Sequence, residues 1–333
     1  METWIIGKRD VAKVLDMQSC IKSVETAFRL YGQQKVQMPV KSYLRFDIYN
    51  GDMRSMSAYI PELSIAGMKA ATVHPDNPIR QMPTLMATII LIDPSNGFPL
   101  AIVDGTYITN MRTGAAGAVA VKYLANENIE KVGFVGAGTQ ARSLLDAMFV
   151  VRPGIEKVGV FDIREDRAGN FKEYCEEHYD VEAKVEADIG KTVGHSGIVN
   201  TTTASRQPLF DNSAVSPGTH INAIGADAEG KQEISSTVLK NSILVIDDWA
   251  EASHTGEINV PIHMGELTRA DINADLGQII TGQKKGRQSE EDITVFDSAG
   301  LAFQDIVTAW DVYNKLMRDD ELKSKLLKVK LLE

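Results

Sequence analysis

The stretch Val132-Gly-Phe-Val135-Gly136-Ala137-Gly138-Thr139-Gln140-Ala141 runs an apolar strand straight into a glycine turn and then into a helical pattern, in the middle of the chain. A dinucleotide-binding unit needs a glycine such as Gly136 for the tight strand-to-helix turn. It needs another such as Gly138 so that backbone can approach a pyrophosphate, and a small residue such as Ala141 so that the helix lies close to the strand. The pyrophosphate would rest on the helix N-terminus, where free N–H groups and the positive end of the dipole favour an anion. More than a hundred residues precede the turn, so a substantial structure comes before the cofactor unit.

Downstream of the turn the elements come in the matching order. Ser143 to Val151 reads as an amphipathic helix, and Lys157-Val-Gly-Val-Phe161 as a second buried strand ending at Asp162. The separation of Gly136 from Asp162 is close to the roughly 20 residues expected for a carboxylate that holds the ribose hydroxyls. A carboxylate there favours NAD over NADP, because it repels a 2′-phosphate, while Arg164 softens the preference. The competing reading of Asp162 is an N-cap for a helix over Arg164 to Glu177, and the two roles are compatible.

At 333 residues the chain exceeds the usual size of one core, so two domains are expected. A formal net charge of −10 and the lack of a long basic run argue against a nucleic-acid partner. Cys20 and Cys175 alone make neither a disulfide framework nor a zinc site. His74, His254 and His263 have no spacing that demands a metal, so none is assigned. With no signal peptide and no apolar run near 18 residues, a cytoplasmic protein that does not enter the membrane is expected.

Upstream, Asp10 is expected to cap a helical region reaching Tyr31, with Ile21, Val24, Ala27, Phe28 and Tyr31 on one face. Ser42 to Tyr49 alternates like a half-buried strand, with Leu44, Phe46 and Ile48 facing one way. Ala87 to Ile92 and Pro99 to Val103 flank the turn-rich Asp93-Pro-Ser-Asn-Gly97, which suggests an antiparallel hairpin. From Lys131 on, strands alternate with helical patterns: Lys131 to Val135, Lys157 to Phe161, Gly197 to Thr201, His220 to Ile224 and Ile243 to Asp247. That order implies crossover units and a parallel sheet. The fold class is therefore α/β, a Rossmann-type parallel-sheet dinucleotide domain joined to an α+β substrate domain. Lys323, Lys325, Lys328 and Lys330 read as the solvated face of a last helix.

The chemistry is expected at the carboxyl ends of the parallel strands, where open α/β sheets take their ligands. Lys41, Arg54, Lys69 and Arg112, the last opening a small-residue helix start, suit a small anionic substrate if they converge. Each taken singly is a surface charge. Asp227 comes just after a buried strand, in position either to take a proton from a substrate amine or to cap a glycine-rich turn.

Taken together, Met38-Pro-x-Lys41, Gly67-x-Lys69, Arg112-Thr-Gly-Ala-Ala, Gly136-x-Gly-x-Gln-Ala, Ile221-Asn-Ala-Ile-Gly-Ala-Asp227-x-x-Gly-Lys-Gln-Glu233 and Phe296-Asp-Ser298-x-Gly300-Leu-Ala-x-Gln304-Asp305 are specific. The chain resembles the ornithine cyclodeaminase and mu-crystallin family over almost its whole length, and within it the archaeal-type alanine dehydrogenase branch. The resemblance implies a discontinuous substrate-binding and dimerisation domain over 1–115 and 303–333, an NAD-binding domain over 116–302, and a homodimer. It implies Lys69 and Asp227 as the catalytic pair, with Lys41, Arg54 and Arg112 around the substrate carboxylate. Arg112, Thr113, Gly136, Gly138, Thr139, Gln140, Ala141, Asp162, Arg164, Thr202, Ile224, Gly225, Ala226 and Asp227 would line the cofactor, with Ser298 and Gly300 by the nicotinamide.

Members share an opening step in which Cα of an amino acid gives a hydride to NAD⁺ and leaves an imine. Water then releases a 2-oxo acid and ammonia, or the substrate's own δ-amine closes a ring to give proline. The ring-closing members have a glutamate where this chain has Arg54, and an arginine there would repel a δ-ammonium. Lys41 likewise replaces the arginine common among them. The expected activity is reversible NAD-dependent deamination of a small L-amino acid such as alanine, with ornithine cyclodeaminase, ketimine reductase and a mu-crystallin-like binding protein as the alternatives.

Overall fold

The computed structural model describes residues 2–331, which divide into two compact units. One comprises the chain up to Arg112 together with the residues from Leu301 onward, and the other is Thr113–Gly300. No described helix is long and apolar enough to cross a membrane.

The first unit is a seven-stranded sheet. Its strands are β1 (Thr3–Ile6), β2 (Ser42–Phe46), β3 (Gly51–Ile60), β4 (Ile65–Val73), β5 (Leu85–Ile92), β6 (Pro99–Asp104) and a C-terminal strand, Leu327–Val329. From one edge they run Leu327–Val329, β1, β6, β5, β4, β3, β2, antiparallel throughout except for β1 beside β6. Strict alternation in β4 buries Ile65, Gly67, Lys69 and Ala71 on one face. Helix Ala302–Arg318 lies on that face, close enough at Gly67 that a Cβ there would meet Ile306 Cδ1 at 2.7 Å. Phe303 of this helix packs edge-on to Phe28 and stacks on Tyr31, so helix Met17–Gly32 joins the same layer. The β5–β6 hairpin turns through Asp93, whose carboxylate accepts from Ser95 and Asn96, with Gly97 in the left-handed region at φ 77°.

Four local expectations are corrected by the fold. The N-terminal helical region is two helices, Lys8–Val14 and Met17–Gly32, and Asp16 rather than Asp10 caps the longer one through Ser19 N–H. Strand β2 stops at Phe46, and Leu44 and Ile48 are 57% and 90% exposed. Its partly buried residues fall one on each face: Tyr43, opposite Arg54 of β3, and Phe46, stacked on His74. Alternation tells which residues share a face but not which face is covered. Helix Gly105–Leu124 starts seven residues before Arg112, with its first turn held by the Asp104 carboxylate through the N–H groups of Thr106 and Tyr107. Of the C-terminal lysines, Lys323 lies in a short helix, Asp320–Ser324, and Lys328 in the edge strand, with Lys325 between them paired to Glu321 and Lys328 paired to Glu2.

The second unit adds β7 (Lys131–Val135), β8 (Lys157–Phe161), β9 (Glu182–Val185), β10 (Ile198–Thr201), β11 (Arg206–Phe210), β12 (His220–Ala223), β13 (Gln232–Ile234), β14 (Ile243–Ile246), β15 (Ala274–Asp275) and β16 (Thr294–Asp297). Eight of them form one wholly parallel sheet in the order β15-β14-β16-β12-β10-β7-β8-β9. The chain moves outward from β7 to β9 and returns to β10 on the other side of β7. That reversal is the switch point at which such sheets take ligands. Strands β10, β12 and β16 are buried at every residue, as expected of a sheet covered on both faces. The five strands expected from Lys131 onward are present. Five more, β9, β11, β13, β15 and β16, are not among those expected from patterning.

Helix Gly105–Leu124 approaches helix Thr139–Val151 so closely that a Cβ on Gly114 would lie 2.3 Å from the Ser143 carbonyl oxygen. Alanine is the better helix former by about 1 kcal/mol. Overpacking against backbone that cannot step aside costs about 1–3 kcal/mol. Gly114→Ala is therefore expected to lower the thermal midpoint measured by circular dichroism, and an unchanged or raised midpoint would show that the two helices can separate freely.

Candidate active site

Strand β4 delivers Lys69 to the buried face, where its Nζ is 2.7 Å from Asp305 Oδ2 and 3.4 Å from Thr109 Oγ1. Asp305 comes from the first turn of helix Ala302–Arg318, and its other oxygen accepts from Arg112 Nε at 3.0 Å. Arg112 Nη1 also donates to Gln304 Oε1 at 3.1 Å. Arg54 lies on the same face of β3 as Met56, the residue opposite Lys69, and is held by the Asp52 carboxylate through Nε at 2.9 Å and over the Tyr43 ring. Lys41, Arg54, Lys69 and Arg112 are all buried, against a single buried carboxylate, Asp305, among the described residues of this unit. An excess of buried positive charge is costly unless an anion answers it.

Lys69 is 1% exposed, and its ammonium is brought down to about 7, chiefly by burial, with Asp305 opposing the drop and Arg112 and Lys41 adding to it. Lys41 is therefore part of the same electrostatic group. Burial alone would raise Asp305, but Arg112 and Lys69 hold it below the usual carboxylate range. A lysine that titrates near neutrality works as an acid and as a base in one cycle.

In the second unit, residues just beyond β7, β8, β10, β12 and β16 share one edge of the sheet, because these parallel strands pair in register. This edge collects the Gly136 turn, Asp162, Thr202, the Ile224–Asp227 segment and Ser298. Gly136 has φ 96°, and a Cβ there would meet Thr202 Oγ1 at 2.9 Å, so the protein itself requires glycine. Gly138 is different. Its backbone is extended (φ −80°, ψ −168°), and nothing lies within 4 Å of where a Cβ would stand. The fold makes no demand for glycine at 138, whereas a phosphate approaching the backbone would. Gly138 is the N-cap of helix Thr139–Val151, with no side chain capping the helix, and Ala141 is wholly buried in its first turn. The residues present thus fit a dinucleotide pyrophosphate.

Asp162 Oδ2 accepts from Ala137 N–H at 2.8 Å and Oδ1 from Arg164 N–H at 2.9 Å, so the carboxylate is turned toward the glycine turn. It is not the N-cap of the next helix. That position is Arg164, and the helix runs Glu165–His178. The Arg164 side chain pairs with Asp166, Nη2 to Oδ2 at 2.6 Å and Nε to Oδ1 at 3.2 Å. Thr202 Oγ1 donates to Gly136 O at 3.1 Å. Asp227 is half-buried, with Lys231 Nζ 2.5 Å from its Oδ1. Ser298 N–H donates to Ala223 O, and Gly300 N–H donates to Asp247 Oδ2 at 2.8 Å. Sequence reasoning gave no role to Asp305, Gln304, Thr109 or Glu233. Two of them lie far along the chain from the side chains they bind, and no periodicity signals such a pairing.

A family model described as "Ornithine cyclodeaminase/mu-crystallin family" matches residues 1–320. The chain belongs to the ornithine cyclodeaminase/mu-crystallin family. It is similar to the alanine dehydrogenase of Archaeoglobus fulgidus, 44% identical over 99% of this chain and 100% of that one. Its fold matches an archaeal alanine dehydrogenase dimer with bound NAD, with a TM-score of 0.94, 43% identity and full coverage of both chains. It also matches a Δ1-pyrroline-2-carboxylate reductase of Thermococcus litoralis in complex with NADH and L-proline, with a TM-score of 0.92, 34% identity and coverage of 95% and 98%. The Rossmann-type α/β architecture of this family is thus the architecture of this chain.

The Asp305 charge and its hydrogen bond both hold the Lys69 ammonium up against burial. Asp305→Asn removes them and should move the Lys69 titration, followed at its ¹³Cε resonance, from near pH 7 toward acid by about one pH unit or more. A midpoint that stays put or rises would mean that Asp305 does not govern Lys69.

Proposed function

We propose that this chain catalyses reversible NAD-dependent oxidative deamination of a small L-amino acid, with L-alanine giving pyruvate and ammonia. The observation that carries this reading is the presence of four buried cations, Lys41, Arg54, Lys69 and Arg112, in one unit, two of them on the Asp305 carboxylate, with arginine rather than an acid at position 54. Such a group takes a substrate carboxylate and offers nothing to a δ-ammonium. The likeness to alanine dehydrogenases over full length supports it.

In this reading Lys41, Arg54 and Arg112 bind and orient the substrate carboxylate, Arg112 also lying by the cofactor with Thr113. NAD supplies the hydride acceptor. Gly136, Gly138, Thr139, Gln140 and Ala141 take its pyrophosphate, Asp162 its ribose hydroxyls, and Thr202, Ile224, Gly225, Ala226, Ser298 and Gly300 the remainder. The Arg164–Asp166 pair occupies the guanidinium that would otherwise answer a 2′-phosphate, which favours NAD. Asp227 accepts a proton from the substrate amine or from water. Lys69, titrating near 7, protonates and deprotonates the oxygen formed at Cα as the imine is hydrolysed.

The protein acts in the cytoplasm as a homodimer. Val40, Leu44, Ile48 and Tyr49, 55–90% exposed along and beside edge strand β2, are the apolar surface we assign to the partner copy. A second reading, reduction of a cyclic α-imino acid, is favoured by the likeness to the Thermococcus litoralis reductase. It uses the same carboxylate clamp with hydride moving in the opposite direction.

NADH oxidation by purified protein is expected to require both pyruvate and ammonium, and L-ornithine with NAD⁺ is expected to yield no proline. Faster oxidation with Δ1-pyrroline-2-carboxylate would move the assignment to the second reading. Asp227→Asn should cut kcat about 100-fold or more while NADH affinity stays near wild type, and wild-type turnover would remove Asp227 from the reaction. Asp162→Ser should raise the KM for NADH about tenfold and narrow the preference over NADPH. An unaltered preference would take the ribose away from Asp162.

A further inference from the structure

Among the fully buried acids of the second unit are Glu233, Glu257 and Asp297, and the proposed mechanism uses none of the three. No group of three or more His, Cys, Asp or Glu side chains among the described residues is arranged to hold a metal ion. Their hydrogen bonds run in sequence instead. Asp297, at the end of β16, accepts from the backbone N–H of Glu257 at 2.9 Å and of Ile258 at 3.1 Å. Glu257 Oε1 accepts from the backbone N–H of Glu233 at 2.8 Å and of Ile234 at 2.6 Å. Glu233 Oε2 accepts from Thr201 Oγ1 at 2.7 Å and Gly225 N–H at 2.9 Å, and its Oε1 from Thr203 N–H at 2.6 Å. Each acid holds the backbone that carries the next, and the last one holds two loops.

Those loops matter because of what they carry. The Thr202–Thr203 segment closes on Gly136, through Thr202 Oγ1 to Gly136 O and through the contact of both threonines with the space a Cβ there would need. The Gly225 segment leads to Asp227. Gly225 sits so tightly that a Cβ would be 2.3 Å from Thr203 O and 2.5 Å from Glu233 Oε2. Thr201 ends β10 and Thr203 lies just beyond it, Gly225 comes after β12, and Glu233 belongs to β13, so three separate stretches meet at one carboxylate.

We propose that Glu233 is a positioning residue for the reaction: its carboxylate ties the loop that closes on Gly136 to the loop that leads to Asp227. One buried side chain then sets the phosphate turn and the proton acceptor together. The inference rests on the proposed deamination for its effect on turnover, but not for its effect on NADH binding. A carboxylate suits the task because three donors converge on two oxygens. Glutamine would keep one acceptor oxygen and press an NH₂ against a donor. Glu257 is set apart by charge. Burial and the negative charge on Glu233 hold it well above the usual carboxylate range, whereas at Glu233 the hydrogen bonds from Thr203, Thr201 and Gly225 oppose the rise that burial causes.

The test compares wild type with Glu233→Gln and with Thr201→Val, which removes a single donor to Glu233 at nearly constant shape. For each, the thermal midpoint, the NADH Kd by fluorescence, and kcat and KM with pyruvate and ammonium are measured well below the midpoint. Glu233→Gln is expected to weaken NADH binding and to lower kcat, each about tenfold or more, with Thr201→Val moving both the same way by a smaller factor. A variant that loses thermal stability while NADH Kd and kcat stay at wild-type values makes Glu233 a purely structural residue and overturns the proposal. If Glu233→Gln does not fold, Thr201→Val decides: wild-type Kd and kcat in that variant overturn it. If wild type binds NADH but turns over none of the substrates, the functional reading fails, and the NADH affinities of the variants still judge Glu233.

Discussion

The first unit depends on the Asp305 carboxylate, shared between Lys69 and Arg112. It joins strand β4, helix Gly105–Leu124 and helix Ala302–Arg318 through side chains separated by 236 and 193 residues of sequence. A buried carboxylate is tolerated only when opposite charge and hydrogen bonds satisfy it, and removing one partner of such a pair typically costs about 3–5 kcal/mol. Asp305 thus pins the returning helix in register with the sheet. A single acid serves both Lys69 and Arg112, with Lys41 close enough to act on Lys69 and Arg54 held by Asp52. Burial, with Arg112 and Lys41 adding to it, brings Lys69 down to about 7. One arrangement therefore accounts for the packing of the unit and for the chemistry proposed for it.

The second unit solves a different problem by different means. Its parallel strands end side by side, and the loops beyond them must hold their shape without secondary structure of their own. Carboxylates do this by accepting backbone N–H groups. Asp162 holds Ala137, Asp247 holds Gly300, and Glu233 holds Thr203 and Gly225. Acceptors are what a strand end lacks, since the N–H groups beyond it have lost their ladder partners. Charged acceptors bind such donors more strongly than neutral ones. The two glycines of the turn divide along the same line. Gly136 is required by the left-handed backbone and the threonines beside it, and Gly138 answers to a ligand rather than to the fold.

Residue patterns carried some parts of this architecture and missed others for identifiable reasons. The apolar strands beginning at Lys131, Lys157, His220 and Ile243 were legible because strands buried on both faces read as continuous apolar runs. The Gly136 turn was legible because its chemistry is local. Strand β2 is expected to bury the face of Leu44, Phe46 and Ile48, but Leu44 and Ile48 are exposed, and partial burial falls on Tyr43 and Phe46, one on each face. Strand β16 is absent from the expected strands, although it lies between β14 and β12 in the sheet. Arg112 was placed at a helix start, whereas Asp104 caps that helix well upstream.

The sequence by itself determined the cofactor turn, the alternation of strands and helices after it, the family, and the identities of the four basic residues. Each of these is written in local spelling or in the joint presence of short motifs. Tertiary structure alone decided that Asp305 would stand between Lys69 and Arg112, that Lys69 would be almost fully buried, and that Glu233 would gather three strand ends. The physical reason is that a charge acquires its meaning from burial and from its partner. Both are properties of the space around a residue, and the partners of Lys69, Arg112 and Glu233 lie up to hundreds of positions away along the chain.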